Sequence, residues 1–474
     1  MSQVAVAETT PNTSSTPDAA KRIAVIGTGA AGLCAAKHML EVGFDVTSFE
    51  IGTQVGGLWC FMNDSGRSSA YRTLHINTAK NVTNFRDFLF QESVQRFPSH
   101  EDMHAYLKDY AEHFGVMERI QFNSQVTELK PLFTPGQEDP KWEVTTVEGR
   151  IRVFDAVCVC TGHLTKPMHV PEFQNGFTGT YMHSHEYKEP EPLVGKRVCV
   201  VGIGNSAVDV ASDVCVTAKR CVLVARSGVW IAPKTLFGVA FTDLTDYFMK
   251  SWVPNWLRKK LVVFLIWCAH GSPTKIGLPP VTERVHATSS GTVVNDIAYR
   301  RIEVQHGIDR IESQTIHFVD GTSGEFDVLV AATGYRIDLP FLSEDIVPTA
   351  DNRIRLWKRV IPPEWPGLYF VGMMNVVSYS NNWAYEKQVL WLREFLLGNA
   401  ATPSVDEMNR DNDAKDEYIA KEFKQTIRHT IEEDPVRYFP ELNRALKAAK
   451  RRAARANGSA DRGRPPSGMG ASLS

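Results

Sequence analysis

The chain carries one short unit twice, and that repetition constrains its fold more than any other feature. Arg22–Glu50 reads RIAVIGTGAAGLCAAKHMLEVGFDVTSFE, and Val198–Ser227 reads VCVVGIGNSAVDVASDVCVTAKRCVLVARS. Each runs strand, glycine turn, helix, strand, the order of a βαβ unit that cradles a dinucleotide. In the first, Gly27 permits the tight turn, Gly29 lets backbone approach a pyrophosphate, and Gly32 lets helix and strand pack closely. In the second, Gly202 and Gly204 take the first two roles, Ser206 follows, and Ala207 replaces the third glycine. The amides opening each helix are placed to face phosphates. The two units then differ in charge. Glu50, 23 residues after Gly27, is placed to accept both ribose hydroxyl protons, whereas Arg226 stands 24 residues after Gly202. A carboxylate there would repel a 2′-phosphate, and an arginine forks onto it. One such contact is worth roughly 1.5–3 kcal/mol, a preference for NADPH over NADH of about tenfold to hundredfold. Two different dinucleotides in one chain are therefore expected.

A length of 474 residues leaves room for two or three domains. The 43% hydrophobic and 22% charged residues are a soluble globular mixture, and the net charge of −2 gives no reason to expect a nucleic acid partner. None of the eight cysteines forms a Cys-x-x-Cys pair, which argues against dithiol–disulfide chemistry and structural zinc. Cys158 and Cys160 read as apolar fillers of a buried strand. His163, His169, His183 and His185 lie between the two units, but no cysteine or clear third ligand accompanies them, so no metal is assigned.

Elsewhere, glycines follow strand ends. Val153–Cys160 runs into Thr161-Gly162, Phe326–Ala332 into Thr333-Gly334, and Leu368–Val371 into Gly372; such ends leave room for a nucleotide. The paired Gly56 and Gly57 allow backbone to lie against a flat or charged ligand, or form a plain turn. Tyr71–Asn77 and the FRDFLF segment either wall a flat cofactor or pack a core. Ile120–Lys130 and Trp142–Val147 read as strands, Ser99 as the N-cap of a helix to His113. Tyr385–Leu397 reads as an amphipathic helix, and Asp411–Lys450 as helices outside the sheet. Within Trp230–Ser290, Leu261–Ala269 is too short an apolar run to span a bilayer. This segment reads as a buried helix lining an apolar substrate channel, or as a subunit contact in a homodimer. Its tryptophans beside Arg258-Lys259-Lys260 leave peripheral membrane contact as the lesser reading.

With those residues in view, the chain resembles the flavin-containing monooxygenases, single-component enzymes holding FAD and NADPH together. The resemblance rests on Gly27-Thr-Gly29-Ala-Ala-Gly32, Gly57-Leu58-Trp59, Gly202-Ile-Gly204-Asn-Ser and Ala332-Thr333-Gly334-Tyr. Its specific part is the F-x-G-x-x-x-H-x-x-x-Y fingerprint, here Phe177, Gly179, His183 and Tyr187. The family likeness implies an α/β fold of two Rossmann-like domains, the NADPH domain inserted into the FAD domain. On that reading 21–164 and 331–450 bind FAD, and 165–330 binds NADPH with a helical insertion at about 230–290. Residues 1–20 form a disordered leader without a signal core, which suggests the cytoplasm, and 451–474 a disordered basic tail. Gly27, Gly29, Gly32, Glu50, Gly57, Leu58 and Trp59 would bind FAD, with Thr333, Gly334 and Gly372 at the glycine ends beside the nucleotides. Gly202, Gly204, Ser206 and Arg226 would bind NADPH. Asn77 looks like the family's asparagine near the flavin–nicotinamide contact, and Asn205 occupies a position where members vary what faces the active pocket. The implied reaction uses NADPH and O2 through a C4a-hydroperoxyflavin to oxygenate a small soft nucleophile, an amine nitrogen or sulfide sulfur. The alternatives are Baeyer–Villiger oxidation of ketones, which Tyr187 disfavours, and an NADPH oxidase or flavin reductase without oxygen insertion.

Overall fold

The structure, a computed structural model, describes residues 20–137, 139–247, 253–282, 287–376, 379–422 and 430–462. Two five-stranded sheets, all of whose neighbours pair in parallel, organise it. The first takes Arg22–Ile26 as its centre, flanked by Ala156–Val159 and Asp45–Phe49, with Leu368–Phe370 and Ile120–Gln121 at its edges. The second is contiguous in sequence: Thr180–His183, Arg197–Val201, Arg220–Val224, Glu303–Gln305 and Val328–Ala331, with Arg197–Val201 at its centre. Ile23, Ala24, Val25, Val157, Cys158 and Val159 are fully buried, as are Val198, Cys199 and Val200. Parallel strands covered on both faces must be apolar throughout, which is why these runs do not alternate.

In chain order the long helices are α1 (Ala30–Leu40), α2 (His100–His113), α3 (Asn205–Val214), α4 (Asn255–His270), α5 (Asn381–Leu396), α6 (Val405–Glu422) and α7 (Pro435–Arg462). α1 and α3 follow the two glycine turns. Buried Leu33, Ala36 and Met39 of α1 share one core with Ala384, Val389 and Leu392 of α5. Ser99 caps α2 as expected, its hydroxyl accepting from the Asp102 amide while the Asp102 carboxylate accepts in return. None of the described helices is long and apolar enough to cross a membrane.

Several boundaries differ from the sequence reading. The expected strand Ile120–Lys130 is two elements. Ile120–Gln121 joins the first sheet, Asn123 turns with φ +53°, and Val126–Leu132 opens a separate three-stranded antiparallel sheet. Val153–Cys160 also divides, at Asp155, between that small sheet and the first. The segment 230–290 holds α4 together with short strands, Ile231–Ala232 and Thr288–Ser289 among them. The tail assigned to disorder from 451 is helical to Arg462, because Arg451, Arg452, Ala453, Ala454 and Arg455 are strong helix formers that continue α7. Ala453 is buried, and Arg452 Nε donates to the Ala401 carbonyl at 3.2 Å. Residues 1–19 and 463–474 lie outside the described residues.

Candidate functional site

One cavity of about 1270 Å³ is lined by Ile26 and Phe49 of the first sheet and by Asn205, Ser206 and Asp209 of α3, the helix after the second glycine turn. At the first turn, Gly27 takes φ +94°, and a Cβ there would stand 2.9 Å from the Cys160 carbonyl oxygen. A Cβ on Gly32 would fall 1.9 Å from the Gly27 oxygen, so Gly32 serves packing below the turn and does not line the cavity. Gly29 and Gly57 meet with bare backbones: a Cβ on Gly57 would lie 3.0 Å from Gly29 Cα. Gly57 (φ +56°) begins a single helical turn carrying Leu58 and Trp59 to the wall. This is a cradle that side chains would fill, and it fits a flat, phosphate-bearing dinucleotide. Glu50 closes it. Its Oε2 accepts from Thr28 N at 2.9 Å and Thr28 Oγ1 at 2.6 Å, and its Oε1 from Gly52 N at 3.0 Å. Those bonds hold the carboxylate still and leave acceptor capacity on each oxygen.

The second turn contributes less to the cavity wall. Asn205 and Ser206, at the start of α3, line it; Gly202, Gly204 and Arg226 do not. Gly202 (φ +135°) packs where a Cβ would meet the Ala332 carbonyl at 2.6 Å, whereas Gly204 faces open space. Arg226 is exposed just past the strand end, without a hydrogen-bond or ion-pair partner among the described residues. Asn205 Oδ1 accepts from Ser289 N at 2.9 Å, which ties the turn to the 288–289 strand. Gly372 lines the cavity, but Thr333 and Gly334 do not. The Thr333 hydroxyl instead donates to the Met168 carbonyl, and the Met168 amide donates to Gly334.

Asn77 lines the same space, and its Oδ1 accepts from Lys234 Nζ at 2.6 Å. Nearby, the Tyr71 hydroxyl donates to Asp209 Oδ2 of α3 at 2.7 Å, and Tyr187 donates to Asp213 one turn further on. Burial raises the Asp209 carboxyl above its ordinary range, and burial lowers the Lys234 ammonium. The two tyrosine rings pack at 5.8 Å. Tyr71 thus joins the loop between the first sheet's strands to the helix of the second turn, and the fingerprint tyrosine stiffens that joint. His183 is fully buried, and burial with His169 and His185 nearby lowers its pKa to about 4. Its strand ends there, and the His185 amide donates to His183 Nδ1 at 3.1 Å.

The far wall comes from α4 and the first turn of α5. Val262, Val263, Phe264, Ile266 and Trp267 line it, together with Ser380, Asn381 and Asn382. The expected burial of this helix is not met: Trp256, Phe264 and Trp267 are more than half exposed, and Arg258, Lys259 and Lys260 line the cavity beside its apolar residues. Thr28, Thr161, Gly162, Lys234 and Asp209 carry the site without having been singled out as site residues. For Thr161-Gly162 the signal was the glycine at a strand end. For Lys234 there was none.

A protein-family model described as flavin-binding monooxygenase-like matches residues 20–452. The chain belongs to that family. It is a flavin-dependent monooxygenase that uses NADPH and O2. It is 34% identical over 444 residues to flavin-containing monooxygenase 5 of Cavia porcellus, covering 89% of this chain and 82% of that protein. It is 31% identical to dimethylaniline monooxygenase [N-oxide-forming] 2 of Mus musculus, at 89% and 82% coverage. Among solved structures it is similar to S-allyl-L-cysteine S-oxygenase from Allium sativum, with 27% identity, TM-score 0.68, and coverage of 95% and 94%.

Proposed function

We propose that this monooxygenase oxygenates a soft nucleophile, a sulfide sulfur or amine nitrogen. In this reading Gly27, Gly29, Glu50, Gly57, Leu58, Trp59 and Gly372 form the FAD site, with Gly32 packing beneath its turn and Thr333 and Gly334 at a strand end beside a nucleotide. Gly202, Gly204, Ser206 and Arg226 form the NADPH site, with the 2′-phosphate forked onto Arg226. The NADPH-binding body, 165–330, is inserted between the two FAD-binding parts, 21–164 and 331–450. The observation that carries the reading is the single cavity reached by residues of both glycine turns and by Asn77 and Asn205. The names of the S-oxygenase and of the N-oxide-forming relative support sulfur and nitrogen as the atoms attacked.

Bound flavin supplies hydride acceptance from NADPH and activation of O2. The chain does the rest. The apolar side chains of α4 keep water from the reacting centre. Asn77 donates its amide hydrogens into the cavity, and Asn205 shapes the opposite wall. Because the substrate is itself the nucleophile, the reaction requires no side-chain nucleophile.

The test mixes purified enzyme, NADPH and O2 with a panel of sulfides, amines and ketones. The expected products are S- or N-oxides, one per NADPH consumed. Esters from ketones with the other classes untouched would replace this reading by Baeyer–Villiger oxidation. Hydrogen peroxide with every substrate unaltered would leave an NADPH oxidase.

A further inference from the structure

We infer that Lys234 is a positioning residue that fixes which way the Asn77 amide points. The inference rests on the reading of Asn77 as an active-pocket residue. Lys234 Nζ donates to Asn77 Oδ1 at 2.6 Å and to the Ile76 carbonyl at 3.0 Å, and it lies 5.3 Å from the Phe97 ring centroid. Lys234 does not itself line the cavity; Asn77 does. An ammonium has three donors and no acceptor. It therefore accepts the amide in one orientation only: turned over, the Asn77 NH2 would meet another donor. With Oδ1 held by Lys234, the Nδ2 hydrogens are the ones left for the cavity. Asp209 is the carboxylate that acts on Lys234 electrostatically.

The geometry also crosses the molecule. Asn77 precedes α2 in the first sheet's part of the chain, whereas Lys234 follows Ile231–Ala232, the strand paired with Thr288–Ser289. Ser289 in turn holds Asn205 through its amide. One short strand pair thus sets both asparagines.

Holoenzymes carrying Lys234→Met, Lys234→Arg, Asn77→Leu and the Lys234→Met/Asn77→Leu pair test this. The first readout is the ratio of oxygenated product to hydrogen peroxide. Lys234→Met should lower it by about tenfold, Lys234→Arg should restore most of it, and the double variant should match Asn77→Leu alone. The second readout needs no turnover: the visible absorption bands of bound FAD, recorded with NADP+, should shift in Lys234→Met as in Asn77→Leu and revert in Lys234→Arg. A Lys234→Met enzyme with unchanged coupling and unchanged bands, beside an uncoupled Asn77→Leu, overturns the inference and leaves the proposed function standing. Additive losses in the double variant overturn it too, since Lys234 would then act elsewhere. If Asn77→Leu itself stays coupled, the reading of Asn77 fails and the inference with it.

Discussion

In the proposed assignment, two single residues divide the labour between the turns. Arg226 is exposed at a strand end with no partner among the described residues, a guanidinium free to meet a phosphate. Replacing it with alanine should raise the Michaelis constant for NADPH about tenfold or more and change that for NADH little; equal effects on both cofactors would place the 2′-phosphate elsewhere. Gly57 is the complementary case, a residue defined by what it lacks. At φ +56° and with Gly29 Cα 3.0 Å from the place of a Cβ, Gly57→Ala must strain the turn or push it from α1. The purified variant should hold well under half the wild-type FAD, read from the ratio of flavin to protein absorbance. Full occupancy would mean that the two backbones can separate at no cost.

At the scale of elements, α4 is pinned by charge as well as by apolar contact. Arg258, 5% exposed, donates to Asp434 Oδ2 at 2.5 Å, and Lys259 reaches Glu422 at 2.5 Å. Removing one partner of a buried pair leaves the other charge uncompensated, at a cost of about 3–5 kcal/mol. Arg258→Ala should therefore lower the melting temperature markedly, while Lys259→Ala, at a more exposed pair, should change it little. The elements best read from sequence were those whose signal is local. The second strand of the first unit forms at Asp45–Phe49, directly before Glu50, and both glycine turns sit where their spacing put them. What failed was set by partners far along the chain. Ile120–Lys130 looked like one strand because the φ of Asn123 leaves no mark on hydrophobicity. The 451–462 stretch looked like a tail because its basic residues hid a run of good helix formers. Lys234 and Asn77 are 157 residues apart, and no pattern in either neighbourhood announces the bond between them.

The whole molecule has a pH signature of its own. His183 ends an edge strand of the second sheet against His169 and Tyr335, where burial lowers its pKa to about 4 from an ordinary 6.5. Between those values the unfolded chain binds the proton and the folded chain does not, so stability falls as pH drops from about 6.5 to about 4. Melting temperature should rise with pH through that window, and His183→Gln should flatten the rise; an unaltered rise would assign the acid sensitivity to other groups. The topology carries a further consequence, for synthesis. The first sheet's edge strand, Leu368–Phe370, pairs with Ala156–Val159, and the entire second sheet is translated in between. On a ribosome adding about 5–20 residues per second, the first sheet, the proposed flavin cradle, waits on the order of 10–40 s for its last strand. The second sheet, which bears Arg226, has all its strands by Ala331, so under the proposed assignment the nascent chain is expected to be competent for NADPH before FAD has anywhere complete to bind.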